Sequence, residues 1–248
     1  MQLNDFFRQN PRIAVAFSGG VDSSYLLYAA KAAECDVRAY FIKSEFQPQF
    51  ELDDATRIAS QLGVPLIIDR FSILSAPSVA GNTLDRCYFC KTAIIGRIRE
   101  LARLDGFSVL CDGSNADDDE ADRPGMRALC ELGVVSPLRE SGLGKSEIRL
   151  FSYKAGLFTH DKPAYACLAT RIPTGTKVTA EMLEAIERAE TALFDMGFSD
   201  FRVRLIPPFT AKVQVSAGQW DEAAARRLEI LESLGSEFGD VVFDLNLR

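Results

Sequence analysis

The chain has 248 residues, of which 47% are hydrophobic, and its formal net charge is −7. This length and composition exclude a disordered or fibrous protein, and they suffice for one large α/β domain or for such a domain with a small companion. The acidic balance argues against broad attachment to nucleic acid, which usually requires a positive patch.

Apolar runs in the sequence are strand-sized and stay well short of the roughly 20 residues that a membrane helix needs. Residues 1–12 lack the basic, apolar and small-residue order of a secretory signal. We therefore expect a cytosolic protein without a membrane partner. In that compartment the six cysteines are expected as thiols, metal ligands or catalysts rather than as a disulfide framework.

The first predicted element is a strand at residues 13–17, a short apolar run rich in β-forming residues, and a helix at residues 22–33 follows it after a glycine turn. The same alternation continues with strands at 37–42, 64–68 and 108–111 and helices at 51–62 and 90–104. The alternation predicts an α/β fold, a doubly wound parallel sheet of Rossmann-like type, for residues 1–162.

The composition changes after about residue 160, where Pro and Gly punctuate residues 162–163 and 172–176. Beyond them we predict helices at 179–196 and 221–234 and strands at 201–206, 211–216 and 241–245. This order of elements predicts a small α+β domain at residues 163–248.

The loop between the first strand and the first helix reads Ser18-Gly19-Gly20-Val21-Asp22-Ser23-Ser24. Its glycines allow the backbone to approach an anion, and the amides and dipole of the helix N-terminus favour phosphate. The hydroxyls of Ser18, Ser23 and Ser24 add donors, and Asp22 is placed to hold Mg²⁺ on the same phosphates. The alternative is an ordinary capped glycine turn, but the complete string favours a phosphate site.

This string differs from the Walker loop, which requires Gly-Lys followed by Ser or Thr. It resembles the PP-loop of the ATP pyrophosphatases, the family of NAD synthetase, GMP synthetase, asparagine synthetase and the tRNA thiolases. The resemblance implies ATP as substrate and cleavage between its α and β phosphates. The products would be an adenylylated intermediate and pyrophosphate.

Five further strings occur in order at residues 85–91 (DRCYFCK), 112–118 (DGSNADD), 123–125 (RPG), 136–138 (SPL) and 162–171 (KPAYACLATR). Together they resemble the LarE family of ATP-dependent sulfur transferases, which serve the nickel-pincer nucleotide cofactor of lactate racemase. The resemblance implies adenylylation and thiolation of a small-molecule substrate, pyridinium-3,5-biscarboxylic acid mononucleotide. It also implies a homo-oligomer, in which residues 163–248 serve substrate binding and assembly.

Cys167 matches the position that supplies the sulfur in the family's best-known form and is left as dehydroalanine. Cys87 and Cys90 add a second sulfur source, because members with this CxxC pair and the later cysteine hold a [4Fe-4S] cluster by three thiolates. One iron would then carry an extra sulfide, and thiolate is the ligand that such iron prefers. The alternatives for the CxxC pair are two small apolar helix residues, a redox pair or half of a zinc site.

The remaining cysteines, Cys35, Cys111 and Cys130, lie in helix or strand patterns and are expected in the core. His160 is the only histidine. A single histidine argues against the chemistry of ordinary zinc hydrolases.

Several polar residues are further candidates for the nucleotide site. Asp112 follows the strand at 108–111, at the edge where parallel sheets bind ligands, although an ordinary Asx turn is equally compatible. Lys91 belongs to the CxxC string and is expected at the nucleotide. Lys145 begins a helix and is placed either to neutralise a triphosphate or simply to face solvent. Arg123 is expected to meet a phosphate or to pair with the acidic run at residues 117–120.

Candidates for the mononucleotide lie nearer the C-terminus. Arg171 follows the thiol segment and is expected to bind a substrate phosphate or carboxylate, with a surface ion pair as the alternative. Arg202 and Arg204 alternate along a strand, so both point to one face and suit bidentate recognition of an anion. Glu190 matches an acidic position of the family, on a helix rich in glutamate.

Three other functions compete with sulfur transfer to a mononucleotide. A tRNA thiolase would need a surface that grips RNA. An amide-forming synthetase of the NAD or GMP type would not require three cysteines. A nucleotide-sensing module would bind ATP without releasing pyrophosphate.

Overall fold

The computed structural model describes residues 2–118 and 124–247. Its helices are α1 (Leu3–Gln9), α2 (Val21–Ala32), α3 (Gln49–Leu62), α4 (Pro77–Ala80), α5 (Arg86–Leu104), α6 (Pro124–Glu131), α7 (Pro137–Glu140), α8 (Lys145–Lys154), α9 (Ala180–Asp195), α10 (Trp220–Ala225) and α11 (Arg227–Gly235). Its strands are β1 (Arg12–Ala16), β2 (Asp36–Lys43), β3 (Leu66–Arg70), β4 (Leu110–Cys111), β5 (Phe201–Ile206), β6 (Thr210–Val215) and β7 (Asp240–Phe243). No helix within these described ranges is both long and apolar enough to cross a bilayer.

The chain divides into two compact units. The first unit comprises Met1–Ile73 and Cys87–Ala164, and the second comprises Leu74–Arg86 and Tyr165–Arg248. The second unit therefore includes residues 74–86, which the predicted boundary between residues 162 and 163 assigns to the first domain. Backbone hydrogen bonds hold this segment in place, since Asn82 accepts from the amide of Gly175.

The first unit contains a parallel sheet with strand order β3-β2-β1-β4. Apolar side chains of the strands alternate between two clusters, so that Ile13 and Val15 pack with α2, α3 and α8 and Ala14 packs with α5. The predicted α/β fold with a doubly wound parallel sheet is confirmed. The order of the strands reverses between β1 and β4, and such a reversal opens a crevice at the carboxyl ends of the strands.

The second unit contains a three-stranded sheet with the order β5-β6-β7. β5 and β6 are antiparallel, β6 and β7 are parallel, and α9 packs against β5. Phe201, Val203 and Leu205 are buried on one face of β5, and Arg202 and Arg204 occupy the other face. These strands were predicted as part of a small α+β domain. The prediction of a single helix at residues 221–234 was wrong, because the helix is interrupted at Arg226 and forms α10 and α11.

Candidate functional site

We call residues 18–24 the phosphate loop. This segment follows β1 and runs into the first turn of α2, whose N-cap is Gly20. Gly19 has a φ of +70°, and a Cβ atom there would lie 3.0 Å from both the amide of Ala55 and the carbonyl of Glu51. A glycine is required at this position, since other residues rarely adopt that φ and α3 leaves no space for a side chain. The close packing of α3 therefore fixes the course of the loop at Gly19.

Hydroxyl groups brace the loop from within. The hydroxyls of Ser18 and Ser23 lie 3.1 Å apart, the amide of Gly20 donates to Ser18 Oγ at 3.3 Å, and Ser23 donates to the carbonyl of Gly20 at 3.3 Å. Gly113 approaches the loop from the end of β4, where an added Cβ would lie 2.7 Å from the amide nitrogen of Ser23. Two separate segments therefore need glycine to form one cradle.

A cavity of about 210 Å³ opens at this cradle. It is lined by Ala16, Ser18, Gly20, Asp22, Ser23, Lys91, Ile95, Asp112, Gly113, Ser114 and Asp118. Most of these side chains come from three segments: the loop after β1, the segment after β4, and the second and third turns of α5. The cavity therefore lies where the strand order reverses, which is the usual ligand position of such sheets.

Asp22 has one occupied and one unoccupied carboxylate oxygen. Its Oδ2 atom pairs with the Nζ atom of Lys145, and its Oδ1 atom is buried without a hydrogen-bond partner among the described residues. A buried carboxylate oxygen without a partner is costly unless a cation or a donor reaches it. Carboxylate oxygen is also the ligand that Mg²⁺ prefers, so Asp22 fits a magnesium site beside bound phosphates.

Asp112 lines the cavity and is buried. Ser114 donates to its Oδ2 atom at 2.5 Å and Ser136 donates to its Oδ1 atom at 2.7 Å. Both oxygens are therefore engaged by hydroxyls, and the side chain organises the segment after β4. Asp112 therefore lines the cavity with both of its carboxylate oxygens occupied by hydroxyls of the protein.

The other residues predicted for the nucleotide site lie in different positions. Lys91 lines the cavity from α5 and directly follows the CxxC pair in the sequence. Ser24 is fully buried, does not line the cavity, and its hydroxyl has no partner within the described part of the chain. Arg123 lies outside the described residues. Lys145 reaches the site through its pair with Asp22, and its amide donates to Asp117 at 2.6 Å.

In the second unit, Cys167 precedes a 3₁₀ turn, Leu168–Arg171, and is partly exposed. The carbonyl of Cys167 accepts hydrogen bonds from the amide of Thr170 at 3.0 Å and from its hydroxyl at 2.8 Å. The guanidinium of Arg86 donates to the carbonyl of Ala169, two residues after Cys167, at 2.9 Å. The backbone that carries the thiol is therefore fixed. We call residues 165–171 the Cys167 loop.

A buried ion pair anchors this loop. Arg171 and Glu190 are only 1% and 2% exposed, and Arg171 donates to both oxygens of Glu190 at 2.8 and 3.0 Å. Tyr165 donates its hydroxyl to Glu190, and the amide of Val203 donates to it at 3.0 Å. Burial alone would lower the pKa of Arg171, but the hydrogen bonds and charge of Glu190 raise it.

These contacts redefine two predicted substrate ligands. The remaining guanidinium nitrogen of Arg171 donates to the carbonyl of Ala166 and to the hydroxyl of Thr170, both at 2.8 Å. All hydrogen-bonding groups of Arg171 and both oxygens of Glu190 are thus bound to other protein groups. Such full pairing is what makes a buried charge stable. Their position suits holding the loop rather than touching a ligand.

Arg202 and Arg204 lie on the face of β5 that carries the Cys167 loop. Arg204 donates to the carbonyl of Thr170 at 3.2 Å and to the side chain of Gln214 at 3.3 Å. Arg202 is largely buried, and its guanidinium lies 5.2 Å from the ring centre of Tyr165 and donates to the carbonyl of Phe201. The structure therefore brings both predicted arginines next to the loop that carries Cys167.

Cys87 and Cys90 lie in the first turns of α5, where Cys87 is exposed and Cys90 is partly exposed. Their spacing places both on one side of the helix. Within residues 2–118 and 124–247, no three His, Cys, Asp or Glu side chains are grouped so that they could hold a metal ion.

The other cysteines differ from one another. Cys35 and Cys111 are buried, as predicted, whereas Cys130 is exposed, so the prediction of a core position was wrong for that residue. Cys130 lies near the end of α6, a short helix of which only Ala128 and Leu129 are buried. Burial, followed by the charges of Asp112 and Glu140, raises the pKa of the Cys111 thiol.

One pair beside the phosphate loop was missed by sequence reasoning. Lys162 pairs with Asp54 at 2.5 Å and also lies 3.4 Å from the carbonyl of Gly19. The two residues are 108 positions apart. Lys162 stood within a family-like string, but nothing in the local pattern indicated Asp54 as its partner.

Known proteins share parts of this sequence. A family model described as the tRNA methyl transferase HUP domain matches residues 11–87. A pyridinium-3,5-bisthiocarboxylic acid mononucleotide synthase from Lactiplantibacillus plantarum is 32% identical, over 78% of this chain and 71% of that protein. An uncharacterised protein from Synechocystis is 35% identical, over 82% of this chain and 76% of its own. A tRNA-specific 2-thiouridylase from Pseudothermotoga lettingae is 28% identical, over 61% of this chain and 54% of its own.

Proposed function

Because this chain belongs to the LarE family of sulfur transferases, enzymes with a PP-loop, we propose that it uses ATP to turn carboxylates of pyridinium-3,5-biscarboxylic acid mononucleotide into thiocarboxylates. The product would serve the nickel-pincer cofactor of lactate racemase. The observation that carries the proposal is the cavity at the phosphate loop, which is lined by Lys91 and by Asp22, whose buried Oδ1 atom has no hydrogen-bond partner among the described residues.

The first step is adenylylation of a substrate carboxylate. The amides at the N-terminus of α2 would bind phosphate oxygens, and Asp22, whose Oδ1 atom has no hydrogen-bond partner among the described residues, would hold Mg²⁺, which would neutralise charge on the phosphates. The carboxylate oxygen attacks the α-phosphorus of ATP, the bond from that phosphorus to the bridging oxygen breaks, and pyrophosphate leaves with the electron pair. Lys91 neutralises charge on the phosphates, so this step relies on positioning and electrostatics rather than on proton transfer.

The second step transfers sulfur from Cys167. Its thiolate attacks the acyl carbon and displaces AMP, forming a thioester with the protein. Loss of the Cα proton of Cys167 and cleavage of its Cβ–S bond then release the thiocarboxylate and leave dehydroalanine. The Cys167 loop is held by Arg171 and Glu190, so the backbone that carries the thiol is fixed. Arg202 and Arg204 are proposed to bind the phosphate or the second carboxylate of the substrate.

A second form of the proposal replaces the sacrificial sulfur. Cys87, Cys90 and Cys167 would hold a [4Fe-4S] cluster, which supplies an iron-bound sulfide and makes the enzyme multi-turnover. The described residues contain no assembled group of three ligands, so we derive no step through a cluster. The two exposed or partly exposed cysteines on α5 are the observation that keeps this form open to test.

The experiment uses full-length protein purified without oxygen, incubated with the mononucleotide, ATP and Mg²⁺. We expect AMP and pyrophosphate to appear only when the mononucleotide is present, together with a thiolated product seen by mass spectrometry. Product without AMP, or AMP formation that ignores the mononucleotide, would contradict the proposal. The Cys167→Ser variant should still form AMP but no thiolated product.

The sulfur source is read from the same samples. A sacrificial cysteine predicts one thiolation per chain and a protein that loses the mass of hydrogen sulfide at Cys167. A cluster predicts about four irons per chain with broad visible absorption, both lost in Cys87→Ala. In that case the mass of the wild-type protein stays constant over many turnovers.

Thiolation of tRNA is the competing function, since a tRNA 2-thiouridylase is 28% identical to this chain. Unfractionated tRNA offered in place of the mononucleotide distinguishes the two. Incorporation of sulfur into tRNA, without activity on the mononucleotide, would replace the proposal.

A further inference from the structure

The described residues around the phosphate cavity carry too little positive charge for a triphosphate. Among them, the lining has one lysine, Lys91, and three aspartates, Asp22, Asp112 and Asp118. ATP brings a further charge of about −4 near neutral pH, and uncompensated like charges at close range repel each other strongly. Mg²⁺ offsets only two of these charges. Other cations must therefore reach the phosphates from outside the lining.

Lys162 is placed to supply one of them. Its Nζ atom lies 3.4 Å from the carbonyl oxygen of Gly19, within the phosphate loop itself. The side chain is 16% exposed and pairs with Asp54 on α3, the helix that packs against Gly19. The ring of Phe50, also on α3, has its centre 5.2 Å from the same Nζ atom.

The backbone at Lys162 is fixed, so that only its side chain needs to move. Arg149 on α8 donates to the carbonyl of Lys162 at 2.7 Å and to that of His160 at 2.6 Å. The amide of Lys162 donates to the carbonyl of Thr159. A fixed Cα atom combined with a flexible four-carbon side chain allows one ammonium group to choose between two nearby anions.

We propose that Lys162 binds the phosphates of ATP by exchanging its partner Asp54 for a phosphate oxygen. The exchange keeps the ammonium paired in both situations, so it avoids the cost of an unpaired, poorly solvated charge. Lys145 is less suited to the same exchange, because its partner Asp22 is the proposed magnesium ligand. This inference rests on the proposed function only in assuming that ATP is the ligand of the cavity.

The exchange predicts effects of opposite sign in two variants of the same pair. In Lys162→Met the cation is lost, and the dissociation constant of ATP should rise about tenfold. In Asp54→Asn the competing anion is lost, and ATP should bind a few times more tightly than to the wild type. In the double variant, affinity should equal that of Lys162→Met, because Asp54 acts only through the lysine.

Isothermal titration calorimetry on the full chain measures these constants, with Mg²⁺ and α,β-methylene-ATP as a nucleotide that cannot be cleaved between the α and β phosphates. Lys154→Met, which removes a lysine at the end of α8, is the matched control and should bind like the wild type. Lys162→Arg keeps the charge and should recover most of the affinity. Melting temperatures are recorded for every variant, so that loss of folding is seen directly.

Each outcome decides the exchange. Weaker binding in both Lys162→Met and Asp54→Asn would overturn it, because that result describes a structural salt bridge or a magnesium ligand at Asp54. Unchanged binding in Lys162→Met would overturn it as well. Failure of the wild-type protein to bind the nucleotide would instead remove the proposed function, so the two failures are distinguishable.

Discussion

The phosphate loop of the first unit and the Cys167 loop of the second are built on different principles. The phosphate loop is one continuous string between β1 and α2, and its shape depends on glycines that meet backbone atoms of α3 and of the segment after β4. The Cys167 loop is held by side chains, above all by the buried pair of Arg171 and Glu190. The phosphate loop thus depends on glycines, which leave room for the close approach of neighbouring backbone. The Cys167 loop depends instead on a buried ion pair that holds its backbone.

The largest expected effect tests the buried charges. Replacing Glu190 by Gln leaves Arg171 charged and buried without its anion, so the free energy of unfolding should fall by about 3 kcal/mol. The matched control is Glu184→Gln, on the same helix but in an exposed pair with Arg188, which should cost less than about 0.5 kcal/mol. Urea denaturation measures both. Equal effects in the two variants would mean that the Cys167 loop is not anchored by this pair.

The next effect tests space at the phosphate loop. In Gly113→Ala a methyl group would lie 2.7 Å from the amide nitrogen of Ser23, so the loop must shift, at a cost of about 2 kcal/mol. Nucleotide binding should weaken by about tenfold or more, since the amides move. Gly96→Ala on α5 meets no atom within 4 Å and should leave affinity unchanged. Normal binding by Gly113→Ala would show that the cradle tolerates movement.

A smaller effect separates the parts of the anchor. Tyr165→Phe removes one of the hydrogen bonds to Glu190 and leaves the pair with Arg171 intact, so stability should fall by about 1 kcal/mol. Thiolation in a single-turnover assay should slow, while nucleotide affinity stays the same. A loss as large as that of Glu190→Gln would show that the hydroxyl, and not the guanidinium, is the main partner of the carboxylate.

The smallest intervention leaves the chain unchanged and maps its thiols. Iodoacetamide at pH 8 should modify the exposed Cys130 quickly and leave Cys111 intact, since Cys111 is fully buried and its pKa is raised. Peptide mass spectrometry over time measures the two rates. After addition of denaturant Cys111 should react as well. Early labelling of Cys111 in native protein would mean that the hydrophobic core around β4 opens easily.

The local pattern of the sequence determined the phosphate loop and the sheet that carries it. An apolar run, a glycine turn and a helix are each predicted from neighbouring residues alone, whereas α3 and Gly113 complete the shape of the loop in the folded chain. The alternation of strands and helices predicts a parallel sheet, since parallel strands require a crossover. The topology predicts Asp112 at this edge of the sheet, whereas Lys91 was expected at the nucleotide from its place in the family-like string, and both line the cavity.

Only the tertiary structure decided what the buried polar residues do. Arg171 and Glu190 are 19 positions apart and Lys162 and Asp54 are 108 apart, and no periodicity in the sequence links such partners. Arg171 was therefore predicted as a ligand of the substrate, although its guanidinium is fully engaged by protein groups. Cys130 was predicted in the core because its helix pattern shows which positions alternate, but not which face is covered by another element. Pairing between distant residues depends on how the elements pack, and that information exists only in the folded chain.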